Sequence, residues 1–86
     1  MTGSTMTEER LRALLQKAGV RDAKGIGRDV SLYDSGALDS FLLLEVLLAL
    51  EKELGVRIDN RDVTPENLDS IERLEAFVAR LQASGT

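Results

Sequence analysis

The stretch that most restricts the fold runs from Ser40 to Leu54, preceded by Asp34-Ser35-Gly36-Ala37-Leu38-Asp39 and followed by Gly55. It is the most apolar part of the chain, and its apolar residues recur at helical spacing. Asp39 or Ser40 can cap a helix that reaches Leu54 before Gly55 ends it. At 3.6 residues per turn, Leu43, Leu44, Val46, Leu47, Leu50 and Leu54 form a broad face that other elements must cover. Phe41, Glu45, Leu48 and Lys52 share the opposite stripe, which is half apolar. Gly36 supplies a turn of positive φ just ahead of the helix.

The covering elements follow from the same periodicity. Thr5-Met6-Thr7-Glu8 has capping-box form, and Leu11, Leu14, Leu15 and Ala18 predict a helix over 6–18 that stops at Gly19. Between Gly19 and Asp39 the composition is turn-rich, with Gly25, Gly27 and Gly36 among several aspartates and serines, which predicts a long loop. Ile26, Val30, Leu32, Tyr33 and Leu38 are the residues able to pin that loop to the body. After Gly55, Val56 and Ile58 read as an extended linker. Thr64-Pro65 opens a short helix to about Leu68, and Asp69-Ser70-Ile71-Glu72 caps a last helix that buries Ile71, Leu74, Phe77, Val78 and Leu81 as far as Gln82.

At 86 residues the chain is one small domain, read as 6–82 with flexible tails at 1–5 and 83–86. Fifteen acids against eleven Lys and Arg give a net charge of −4, which argues against nucleic acid and for basic partner surfaces. Cysteine and histidine are absent, so thiol chemistry, zinc ligation and histidine acid–base catalysis are closed to the chain alone. The apolar run is broken by Glu45 and too short for a transmembrane segment, and no secretory leader is visible; the expectation is a soluble cytoplasmic protein. Asp59, Asn60 and Asp62 lack the glycine and terminal glutamate of a calcium loop and read as a solvated linker, so no metal is expected.

Leu38-Asp39-Ser40-Phe41, followed by Leu44-Glu45 and Leu48-Ala49-Leu50-Glu51, resembles the modification site of acyl carrier proteins. In that family the serine carries 4′-phosphopantetheine, whose thiol holds an acyl or aminoacyl group as a thioester. The resemblance spans 5–81 in pattern and is closest over 34–55, where it looks most like discrete D-alanyl, peptidyl and polyketide-type carriers. Phe41 and then Leu42-Leu43 stand where fatty-acid carriers tend to have leucine and then an acid and threonine, which points away from a primary fatty-acid role.

The resemblance implies an all-α, small four-helix bundle of acyl-carrier-protein type: three longer helices, a short third one, and a long loop between the first two. It implies a monomeric carrier rather than an enzyme, with Ser40 as the attachment point for 4′-phosphopantetheine derived from coenzyme A. A phosphopantetheinyl transferase would modify Ser40, and acyl- or aminoacyl-loading and cargo-processing enzymes would dock through Asp39, Phe41, Glu45 and Leu48. Polyketide or nonribosomal-peptide-type secondary metabolism is the expected setting.

Two other readings start from the same residues. Without a covalent cofactor, Phe41, Leu42 and Leu48 would form the groove of a helical protein-interaction module. A catalytic use of Asp39, Ser40 and Tyr33 fails for want of a base to activate the hydroxyl. Taken locally, Ser40 is a helix N-cap worth roughly 1 kcal/mol, and Glu45 a solvated charge.

Overall fold

In the computed structural model, which describes residues 7–84, the helices follow in the order α1 (Glu8–Ala18), α2 (Ser40–Leu54), α3 (Pro65–Leu68) and α4 (Ile71–Ser84). A 3₁₀ turn at Asn60–Asp62 lies between α2 and α3, and no strand occurs among the described residues. The bundle is therefore all-α, as expected. α1 packs against both α2 and α4, and α3 packs against α4. Leu11 and Leu15 of α1, Val46 and Leu50 of α2, Leu68, and Ile71, Leu74, Phe77 and Val78 of α4 close one apolar core.

Helix ends explain the boundaries. The α1 cap is Thr7, whose hydroxyl accepts from the Arg10 amide at 3.1 Å, so the helix begins later than the Thr5 capping box predicts. The expected tail at 1–5, Thr5 included, and Met6, the expected start of the domain, lie outside the described residues. Gly19 ends α1 with φ +116°, and a Cβ built there would stand 2.9 Å from Leu42 Cδ2. The backbone angle thus favours glycine at 19, and a Cβ there would also oblige the Leu42 side chain to shift.

Two caps differ from the sequence reading at the far end. Thr64 makes no side-chain cap bond to α3, where Pro65 stands at the start and leaves one fewer amide to satisfy. Ser70, not Asp69, caps α4, its hydroxyl accepting from the Arg73 amide at 3.1 Å. α4 also continues to Ser84, beyond the Gln82 boundary and into the expected tail at 83–86.

Leu44 is the misplaced core residue. It is 54% exposed, whereas Val46 and Leu50 are fully buried, and Leu43, Leu47 and Leu54 are partly covered. At 100° per residue Leu44 lies about 120° around α2 from Leu50, outside the arc that faces α1 and the core.

The long loop over 19–39 is tied down along its length. Val20, Ala23, Leu32, Ala37 and Leu38 are buried in it, Ile26 is partly covered, and Val30 and Tyr33, both expected to pin it, are exposed at 38% and 36%. Polar contacts do the remaining pinning. Arg12 donates through Nη1 to the carbonyls of Ala23 at 3.0 Å and Ile26 at 2.6 Å. Arg28 bridges Glu8 of α1 and Glu75 of α4, while its carbonyl accepts from the Glu72 amide at 3.0 Å.

Candidate functional site

The approach to α2 is a sharp reversal with an anchored end. Gly36, at φ +82°, donates its amide to the Tyr33 carbonyl, and the Leu38 amide donates to the Leu32 carbonyl, each at 3.0 Å. Ala37 and Leu38 are buried directly after the turn, fixing the backbone that leads into the helix. Asp39 is extended at φ −133°, and its Oδ1 accepts from the Leu42 amide at 2.8 Å, so it is the N-cap. Ser40 is then the first helical residue and is exposed to solvent.

That division of labour leaves the Ser40 hydroxyl unengaged. Its place as first helical residue frees it from capping, and no described side chain hydrogen-bonds it. The Asp39 carboxylate is committed to the Leu42 amide. Tyr33 is no base either: partial burial, and then the charges of Asp69 and Asp39, push its phenol above its ordinary range and keep it protonated. A hydroxyl so displayed is accessible to an enzyme but is not activated by this chain. The positive end of the α2 dipole favours a phosphate joined to it.

The exposed residues of α2 gather beside this serine. Phe41 at 68%, Leu44 at 54% and Leu48 at 53% exposed form one apolar strip at i, i+3 and i+7. Leu44 thus belongs to this exposed strip, and its spacing from Phe41 and Leu48 is the signal that could have placed it there. Glu45 and Leu48 also line an open groove of about 700 Å³ between α1 and α2, with Leu14, Ala49, Lys17 and Lys52. The structure therefore brings Phe41 and Leu48 together on the strip, sets Glu45 beside them, and keeps Asp39 as the cap.

The aspartates after α2 do not form a metal centre. Asp59 caps the 3₁₀ turn and pairs with Arg61, which holds its carboxyl below the ordinary range. No cluster of three or more His, Cys, Asp or Glu suited to a metal occurs among the described residues. No helix of the described residues is long and apolar enough to cross a membrane.

Residues 9–78 match the family described as "Phosphopantetheine attachment site", a range that takes in the α2 approach, α2 and α3, most of α1 and the first half of α4. The chain belongs to that family. It is a carrier protein, and the family's prosthetic group is covalently attached 4′-phosphopantetheine. The D-alanyl carrier protein of Abiotrophia defectiva is 30% identical over 77 residues, covering 90% of this chain and 98% of that protein. Aminoacyl carrier protein 1 of Bradyrhizobium diazoefficiens is 32% identical over 76 residues, covering 84% of this chain and 83% of its own. Carriers serve partner enzymes rather than catalyse, so the reading as a cofactor-free interaction module gives way to carriage. An exposed, uncommitted hydroxyl at a helix start fits the attached group.

Proposed function

We propose that Ser40 is the attachment site and that the carrier displays acyl or aminoacyl thioesters in secondary metabolism of the polyketide or nonribosomal-peptide type. The observation that supports it is the exposed Ser40 hydroxyl, relieved of capping by Asp39. A phosphopantetheinyl transferase would supply the base, and the hydroxyl oxygen would form the new bond to phosphorus as the nucleotide part of coenzyme A departs. Once bound, the prosthetic group supplies the thiol that this cysteine-free chain lacks. The α2 amino-terminal dipole and the rigid Ala37-Leu38 anchor orient the attachment point, and Phe41, Leu44, Glu45 and Leu48 receive the loading and processing enzymes. Two relatives named for aminoacyl cargo incline the reading toward an amino acid on the thiol.

Intact mass after incubation with coenzyme A and a broad-specificity transferase tests the assignment. The wild type is expected to gain one phosphopantetheinyl group and Ser40→Ala none. A modified alanine variant, or a wild type left unmodified by several transferases, would overturn it.

A further inference from the structure

The backbone leading to Ser40 is held from across the molecule by one acidic residue. Asp69 sits at the corner between α3 and α4, yet α4 takes its cap from Ser70, which leaves the Asp69 carboxylate for other work. Its Oδ2 accepts from the Ser31 hydroxyl at 2.8 Å and its Oδ1 from the Tyr33 amide at 3.0 Å. Its own carbonyl accepts from the Leu32 amide at 2.8 Å. Three consecutive loop residues are therefore bonded to one residue that lies 36 or more positions away in sequence.

From there the order propagates toward the helix in few steps. Ser31 Oγ accepts from the Asp34 amide at 3.0 Å, and the Leu32 carbonyl accepts from the Leu38 amide at 3.0 Å and the Ser35 hydroxyl at 3.1 Å. Leu38 is buried and adjoins Asp39, the cap of the helix whose first residue is Ser40. Hydrogen bonds to an ionised acceptor are roughly twice as strong as neutral ones, which suits Asp69 to hold a turn-rich segment that lacks periodic structure of its own.

We propose that Asp69 is a positioning residue for modification at Ser40: by clamping Ser31, Leu32 and Tyr33 it fixes Leu38 and so the direction in which α2 presents its first hydroxyl. This rests on the reading of Ser40 as the attachment site. Asp69 touches neither the hydroxyl nor the incoming group; it acts through the loop.

The test compares Asp69→Ala, Asp69→Asn and Ser31→Ala in transferase kinetics with coenzyme A, alongside amide hydrogen exchange on the unmodified proteins. A loss of folded carrier alone would raise the apparent KM for carrier and leave kcat at saturation unchanged. Mispositioning instead lowers kcat, expected by ~10-fold or more for Asp69→Ala, with the KM for coenzyme A unchanged. Asparagine can still accept from the Tyr33 amide and donate to Ser31 Oγ, so Asp69→Asn is expected to recover kcat to within about 3-fold of wild type. Ser31→Ala should fall between them. The Leu38 amide should exchange faster in Asp69→Ala, with Leu15 and Phe77 unchanged. A kcat equal to wild type in Asp69→Ala, or an unaltered Leu38 amide, overturns the proposal. Should no transferase modify the wild type, the Ser40 reading is lost, and Leu38 exchange alone decides whether Asp69 controls the segment.

Discussion

Ser40 and Asp39 are neighbours whose tasks can be separated by single substitutions. Because Asp39 caps the helix, Asp39→Ala is expected to lose about 0.5–2 kcal/mol of stability in denaturant titration. Ser40→Ala, exposed and uncommitted, should stay within about 0.5 kcal/mol. A larger loss for the serine than for the aspartate would show that the cap had been assigned to the wrong residue. Leu44 and Leu50 make a second pair: Leu50→Ala should lose roughly 2–5 kcal/mol and Leu44→Ala under about 1 kcal/mol. Equal losses would put Leu44 back in the core. The place of Ser40 at the start of α2 was legible from Gly36, Asp39 and the apolar run that follows. Leu44 was not, because α2 has leucines on nearly every side and apolar spacing alone does not fix which arc its neighbours cover.

Among the elements, all four helices were legible from periodicity and from Gly19, Gly55 and Pro65, while the caps of α1 and α4 moved by a residue or two. Thr7 rather than Thr5 and Ser70 rather than Asp69 take the capping role, since several hydroxyls and carboxylates compete at each start. The path of the loop over 19–39 was hidden for a different reason: its supports, Arg12, Arg28 and Asp69, belong to interactions spanning 11 to 47 residues. The clasp on α1 has a testable pH signature. Arg12, and then Arg28, hold the Glu8 carboxyl below its ordinary range. A carboxyl depressed in the folded state contributes stability that is present above its unfolded value and lost as pH falls through the folded one. Thermal melts across an acid series should therefore show the wild type losing more Tm than Glu8→Gln below the ordinary glutamate range. Parallel curves would mean that the ion pairs hold nothing in solution, as exposed pairs sometimes do.

At the scale of the whole molecule, a chain of net charge −4 presents an apolar strip beside Ser40. Docking through Phe41, Leu44 and Leu48 predicts that alanine at each weakens binding of a cognate loading enzyme by more than ~1 kcal/mol, with weak salt dependence. Loading kinetics over a salt series check this. A steep loss of rate with salt, joined to indifference to the three substitutions, would assign recognition to charge instead. Arg12 adds a consequence of another kind. It holds the loop by the carbonyls of Ala23 and Ile26, groups that every residue type possesses. The side chains of Arg21 and Lys24 are exposed on that same stretch. Their chemical identity can thus be rewritten over generations while the trace of the backbone stays put, leaving a surface open to adaptation on a scaffold that does not depend on it.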